Sequence, residues 1–165
     1  MLFRSYLDKI AVPQVKEILE NYGGLDILWW DTPTDMSKER ADKFQPLIAP
    51  YPNLITNNRL GGGYPGDTET PEQFIPSTGF PDRHWEVCMT MNDTWGYKSW
   101  DHNWKSTKEL ILKLSDIVSK GGNFLLNVGP TAEGEIPQPS VERLKEIGQW
   151  MKVNGEAIYG TQASP

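Results

Sequence analysis

An apolar run that ends abruptly on a carboxylate, Leu25-Asp26-Ile27-Leu28-Trp29-Trp30-Asp31, limits the folds open to this chain more than any other stretch. Apolar runs this short, bounded by turn residues, suit strands buried on both faces, as in parallel sheets covered by helical crossovers. Its surroundings keep to that pattern. Before it, Val15, Ile18, Leu19 and Tyr22 fall at i, i+3, i+4 and i+7, one face of a helix running from Pro13 until Gly23-Gly24 stops it. After it, a helix is expected over residues 37–44, ending ahead of Pro46, and then a short strand over residues 53–57. Such alternation is the pattern of a parallel sheet with helical crossovers. Asp31 then closes its strand at the sheet's C-terminal edge, where α/β folds collect ligands and catalytic groups.

The rest of the chain repeats the scheme. Arg59 follows the second strand as Asp31 follows the first. Residues 61–81 are rich in Gly, Pro and Thr and read as a long loop, and loops of that length in compact domains are usually functional or disordered. A third strand is expected over residues 84–91, with Glu86 inside it, followed by a tryptophan-rich loop over residues 92–105. A helix capped by Thr107 carries Leu110, Leu114, Ile117 and Val118 and ends at Gly121-Gly122. A fourth strand over residues 123–128 is broken by Gly129-Pro130, and a last helix from Ser140 carries Val141, Leu144, Ile147 and Met151. Four strands and about four helices in 165 residues suit one α/β domain. A closed eight-stranded barrel takes about 250 residues, so the pattern is either an open doubly wound sheet or part of a barrel.

Composition excludes several classes of function. With 16 basic against 22 acidic residues and a net charge of -6, the chain lacks the basic face of a nucleic-acid binder. No apolar run reaches the roughly 18 to 20 residues of a membrane span, and no basic stretch followed by an apolar one opens the chain. The single cysteine, Cys88, rules out an internal disulfide. His84, Cys88 and His102 have no recognised metal-ligand spacing, so no metal is expected. Gly61, Gly63 and Gly66 match G-x-G-x-x-G, but Pro65 lies inside the motif. No amphipathic helix follows to receive a pyrophosphate, so no dinucleotide is expected either.

Carboxylates and tryptophans are the better lead. Glycosidic hydrolysis needs one carboxylate as nucleophile or base and one carboxyl as acid. Asp31, Glu69, Glu72 and Glu86 are available, with Arg59 at the next strand end. Each also has an ordinary reading: Asp31 as a helix cap, Glu69 and Glu72 as solvated loop charges, Glu86 and Arg59 as ion-pair partners. The seven tryptophans, several of them clustered in Trp85, Trp95, Trp100 and Trp104, serve equally as core fillers or as faces for sugar C–H surfaces.

Six ordered blocks narrow the choice. Leu28-Trp29-Trp30-Asp31, Asn57-Asn58-Arg59, Glu69-Thr70-Pro71-Glu72, Trp85-Glu86-Val87-Cys88, Asp93-Thr94-Trp95-Gly96-Tyr97 and the run from Gly121 to Pro130 closely resemble, in order, the α-L-fucosidases of glycoside hydrolase family 29. The resemblance extends to Asn154-Gly155-Glu156-Ala157-Ile158-Tyr159. It implies a retaining exo-glycosidase that releases terminal α-L-fucose from glycans without a cofactor. The fold implied is the C-terminal half of a (β/α)8 TIM barrel, about strands 4 to 8, spanning residues 1–165.

The resemblance also implies roles. Asp31 matches the nucleophile, Trp29 a wall of the fucose site, and Arg59 a donor to sugar hydroxyls. Trp85 and Trp95 are further expected sugar contacts. Glu72 and Glu86 both match acid/base positions; Glu72 is preferred because a rim loop can carry a carboxyl over the leaving oxygen, whereas a strand holds it in the barrel wall. Family members also have strands 1 to 3 with a His-His pair, and usually a C-terminal β-sandwich. A half-barrel without them leaves sheet edges and an apolar interior uncovered, favouring self-association or a complementary half-barrel, with turnover by the chain alone in doubt. Full-length members are secreted, periplasmic or lysosomal. Two other readings stand beside this one: a carbohydrate-binding or scaffold remnant without turnover, and a doubly wound interaction domain.

Overall fold

The computed structural model describes residues 3–31 and 34–163. The chain divides after Glu69 into two compact units, Met1–Glu69 and Thr70–Pro165, each with its own packing.

The first unit opens on one helical run: α1 (Phe3–Tyr6), a π-helical turn (Leu7–Ala11) and α2 (Val12–Asn21). The helix expected from Pro13 therefore starts ten residues earlier. Pro13 lacks an N–H and its ring crowds the carbonyl four residues back; the wider π turn just ahead of it makes that room without ending the helix. Strand β1 (Ile27–Leu28) pairs in parallel with β2 (Ile55–Thr56), Ile27 opposite Ile55 and Leu28 opposite Thr56.

The apolar run before Asp31 is not buried on both faces as expected. With a side-chain period of two, Leu28 and Trp30 turn onto a core of Leu7, Ala41, Phe44 and Leu60. Ile27 and Ile55 turn the other way and remain 59% and 44% exposed. Helices cover one face of this two-stranded sheet and leave the other open.

Two short helices replace the one expected over residues 37–44. In α3 (Lys38–Ala41), Ser37 caps the end by accepting from the Arg40 amide. In α4 (Gln45–Ile48), Pro46 lies in the first turn, where its missing N–H costs nothing, so it starts a helix and does not merely end one. A 3-10 turn (Asn58–Leu60) follows β2, and β3 (Thr68–Glu69) comes next, with Thr68 bridged in parallel to Asn57. The expected long loop is thus partly ordered against β2. Gly66 makes this possible: its φ is +58°, and a Cβ there would lie 2.3 Å from the Asn57 carbonyl oxygen.

In the second unit, β4 (His84–Thr90) and β5 (Asn123–Asn127) pair in parallel, from Glu86 opposite Asn123 to Thr90 opposite Asn127. The crossover helix α5 (Thr107–Ser119) is capped by Ser106 and not by Thr107, the Ser106 hydroxyl accepting from the Glu109 amide at 3.1 Å. Helix α6 (Gln138–Asn154) begins two residues before Ser140. Trp85, Val87 and Met89 project from one face of β4 onto Ile117, Phe80 and Phe124, and this forms the unit's core.

Candidate active site

In the first unit, Trp29 and Asp31 follow β1 and Arg59 follows β2, so two adjacent parallel strands deliver all three at their C-terminal ends. The Arg59 guanidinium lies 5.7 Å from the centre of the Trp29 ring and 4.0 Å from the Asp31 carboxylate. Arg59 is only 14% exposed while Asp31 is 89% exposed, so an anchored cation faces a carboxylate open to an incoming ligand. Asp31 also borders a cleft of about 430 Å³ walled by Leu7, Val15, Trp30, Met36 and Leu60.

Asn57 holds this group in place. It is buried, accepts from the Trp30 N–H at 2.9 Å and donates to the Trp30 carbonyl at 2.9 Å. One side-chain amide thus reproduces the paired hydrogen bonds of a strand neighbour, immediately before Asp31. Asn58 next to it donates to Glu69 at 2.6 Å, so Glu69 is engaged in holding this turn.

In the second unit, Glu72 is not carried by a free rim loop. It is bridged in parallel to Cys88, with the Gln73 N–H donating to the Cys88 carbonyl at 2.9 Å and the Cys88 N–H to the Pro71 carbonyl at 3.3 Å. Bridged partners share a face, and residues two apart on a strand share it too, so Glu72, Cys88 and Glu86 lie on one side of β4. Glu72 sits one step closer than Glu86 to the C-terminal end. Gln73 fixes the turn: its φ is +61°, its side-chain oxygen accepts from the Thr90 N–H at 3.3 Å, and its amide donates to the Thr90 hydroxyl at 3.1 Å. A non-glycine residue in that region is held there by its surroundings.

Trp85 and Glu86 part company. Trp85 is 1% exposed, its indole N–H donates to the Lys120 carbonyl at 3.2 Å, and its ring packs against Gly122. It is a core residue and not a sugar contact, because adjacent strand residues point to opposite faces.

Trp95 is exposed on the loop after β4, and its carbonyl accepts from Asn127, the last residue of β5, at 2.8 Å. Asp101 organises this loop. It accepts from the Asp93 N–H at 3.1 Å, the Thr94 hydroxyl at 2.8 Å and the Asn103 N–H at 3.3 Å, while Asn103 donates in turn to the Asp93 carboxylate. Partial desolvation pushes the Asp101 carboxyl up, but the hydrogen bonds from Thr94, Asn103 and Asp93 outweigh it and bring the group below its usual range.

Asn57, Gln73 and Asn127 had no role assigned from sequence. All three are side-chain amides that bind backbone near strand ends. Asn57 and Asn127 stand inside the resemblance blocks, but nothing in a one-dimensional pattern distinguishes an amide that grips backbone from one in solvent.

The family model for alpha-L-fucosidase matches residues 2–156. The plasma alpha-L-fucosidase of Rattus norvegicus is 40% identical over 164 residues, a match covering 92% of this chain and 35% of that protein. Among solved structures, alpha-L-fucosidase isoenzyme 1 from Paenibacillus thiaminolyticus superposes with a TM-score of 0.85 at 42% identity, covering 98% of this chain and 42% of that one. The alpha-L-fucosidase from Vibrio sp. strain EJY3 superposes with a TM-score of 0.88 at 36% identity, covering 99% and 30%. The chain thus spans about a third of the length of the curated relatives it matches, such as the 35% covered in the rat protein.

Proposed function

This chain belongs to the alpha-L-fucosidase family, and from that premise we propose that it forms part of a retaining glycosidase site that removes terminal α-L-fucose from glycans. It contributes about strands 4 to 8 of a (β/α)8 barrel, residues 1–165 being the C-terminal portion of the catalytic domain. The observation that carries the reading is the grouping of Trp29, Asp31 and Arg59 at the C-terminal ends of two adjacent parallel strands, the end where barrel enzymes do their chemistry.

In this mechanism an Asp31 carboxylate oxygen attacks the anomeric carbon. The glycosidic bond breaks, and its electron pair stays on the leaving oxygen, which takes the proton of the acid. The same residue, now a carboxylate, removes a proton from water; that oxygen attacks the anomeric carbon and frees Asp31. Glu72 is the acid/base. Its position one step nearer the strand's C-terminal end than Glu86 supports this, and the Gln73 turn supplies the fixed geometry that proton transfer needs. Glu86, on the same face, is the other candidate. Arg59 donates to sugar hydroxyls. Trp29 packs on the methyl edge of the 6-deoxy sugar, the edge that separates fucose from galactose of the same configuration, and Trp95 is a further aromatic contact for the sugar.

The test is hydrolysis of 4-nitrophenyl α-L-fucoside by the chain and by the chain joined to the remainder of a family barrel. Asp31→Ala is expected to abolish release of the nitrophenolate. Glu72→Gln is expected to slow glycans with poor leaving groups far more than the nitrophenyl substrate, whose leaving group needs little acid help. The same contrast in Glu86→Gln instead would reassign the acid. Fucose binding that survives in every form without turnover would select a carbohydrate-binding role.

A further inference from the structure

We propose that Thr90 is a positioning residue for the acid/base, its hydroxyl holding Glu72 in place through the Gln73 side chain and tying both to the base of the loop that follows β4. This role rests on the reading of Glu72 as the acid/base and deepens it. Every residue it uses lies within the second unit.

Thr90 is the last residue of β4 and is 1% exposed. It lies on the side of the strand opposite Trp85, Val87 and Met89. A buried strand position chosen for packing alone suits valine or isoleucine. The hydrogen bonds here make a second demand. The Gln73 side chain meets Thr90 with both ends of its amide: its oxygen accepts from the Thr90 N–H at 3.3 Å, and its nitrogen donates to the Thr90 hydroxyl at 3.1 Å. A backbone N–H can only donate, so it fixes which end of the amide faces it and leaves the hydroxyl to accept. The proton of that hydroxyl goes to the Asn92 carbonyl. The same carbonyl accepts from the Lys105 ammonium at 3.1 Å, and the Lys105 N–H donates to the Met91 carbonyl at 2.8 Å. Position 90 must therefore accept on one side and donate on the other, which a hydroxyl does and an aliphatic side chain does not.

This chain of bonds reaches Glu72 through the backbone. The Cys88 N–H donates to the Pro71 carbonyl at 3.3 Å and the Gln73 N–H donates to the Cys88 carbonyl at 2.9 Å, so the peptide units on both sides of Glu72 are bound to one residue of β4. At Gln73 the chain turns away with φ +61°. A non-glycine residue keeps that conformation only while its surroundings hold it, and the grip of its side chain on Thr90 is such a hold. Release of the grip frees the turn and, with it, the Gln73 N–H that anchors Glu72. A general acid has to lie within hydrogen-bond reach of the leaving oxygen, and a displacement of about 1 Å costs about a hundredfold in rate.

The test compares the 165-residue chain with three variants. Thr90→Val keeps the branched shape and removes the hydroxyl, and Thr90→Ser keeps the hydroxyl. Gln73→Asn breaks the grip from an exposed position: asparagine tolerates the positive φ but is one methylene shorter. In ¹⁵N relaxation the Glu72 amide is expected near the rigid order parameter of about 0.85 in the parent and in Thr90→Ser, and below about 0.6 in Thr90→Val and Gln73→Asn. Val87, in the core, is expected to stay rigid in all four. In the form that hydrolyses 4-nitrophenyl α-L-fucoside, Thr90→Val and Gln73→Asn are expected to lower kcat at least about tenfold on glycans with poor leaving groups, with KM and the nitrophenyl rate changed far less. Thr90→Ser is expected to recover most of that loss. A Glu72 amide equally ordered in all four proteins overturns the role of Thr90, as does a loss of rate that Thr90→Ser shares or that falls equally on both substrates. If Glu72→Gln itself shows no contrast between leaving groups, the acid/base reading is what fails, and the order parameters alone decide whether Thr90 holds position 72.

Discussion

At the scale of single residues, Asn57 does more for the Asp31 site than any charged group near it. The ion pair between Arg59 and Asp31 is long and half of it is exposed, so its energetic worth is small. The Asn57 amide satisfies two backbone groups that would otherwise be stranded out of water. Asn57→Leu keeps the volume and removes both hydrogen bonds. Leaving two buried groups unsatisfied is expected to cost about 2–5 kcal/mol of stability, read as a lower midpoint in urea unfolding. Asn57→Asp keeps the acceptor for the Trp30 N–H and sets a carboxylate against the Trp30 carbonyl, and is expected to lie between the two. Asp31 and Arg59 could be picked out from sequence because strand ends in α/β folds concentrate chemistry. Asn57 could not be given its role, since the partner it grips is 27 positions away and an asparagine after a strand reads equally well as a turn residue.

At the scale of elements, turns and loops decide where side chains end up, and glycines and carboxylates set the turns. Gly122 is an example. Sequence marks Gly121-Gly122 as the stop of α5, which is correct, but only the packed structure shows the second demand: a Cβ on Gly122 would lie 2.5 Å from the Trp85 ring. That ring is locked in the core, so Gly122→Ala is expected to lose about 1–3 kcal/mol, measurable as a lower midpoint of thermal unfolding. The Asp101 loop gives a prediction in pH. Because the folded carboxyl titrates below its unfolded value near 3.8, its contribution is complete above that value and is lost as pH falls through the folded value. As pH falls well below that unfolded value the loop is therefore expected to open, seen as a red shift in tryptophan emission, and Asp101→Asn is expected to remove that transition. The strands after residue 80 were readable almost to their ends because β4 alternates. The two-residue strands β1 and β2 were overestimated, since an apolar run does not say how much of it finds a pairing partner.

At the scale of the whole molecule, the chain is two units with separate cores, and the face of the first left open by its helices carries Ile27 opposite Ile55. Exposed isoleucines on a short sheet favour association. The chain is expected to self-associate as its concentration rises in sedimentation experiments, and Ile27→Lys is expected to shift it toward monomer without lowering its unfolding midpoint. Parallel architecture was visible in the alternation of helices and strands. Burial of that run on both faces was not a safe inference, because it depends on which elements stand beside the strand and not on the strand itself.

Strand β4 carries a consequence of its own. Trp85, Val87 and Met89 hold the core, and Glu86, Cys88 and Thr90 occupy the opposite side. On that side Glu86 is half-buried, whereas Cys88 and Thr90 are buried and Thr90 holds the Gln73 side chain, so position 86 can be exchanged for a different chemistry while its neighbours keep the unit folded. A designer wishing to give this scaffold a new substrate would randomise 86 and leave 85 and 87–90 alone, obtaining a library whose members differ in what they recognise far more than in whether they fold.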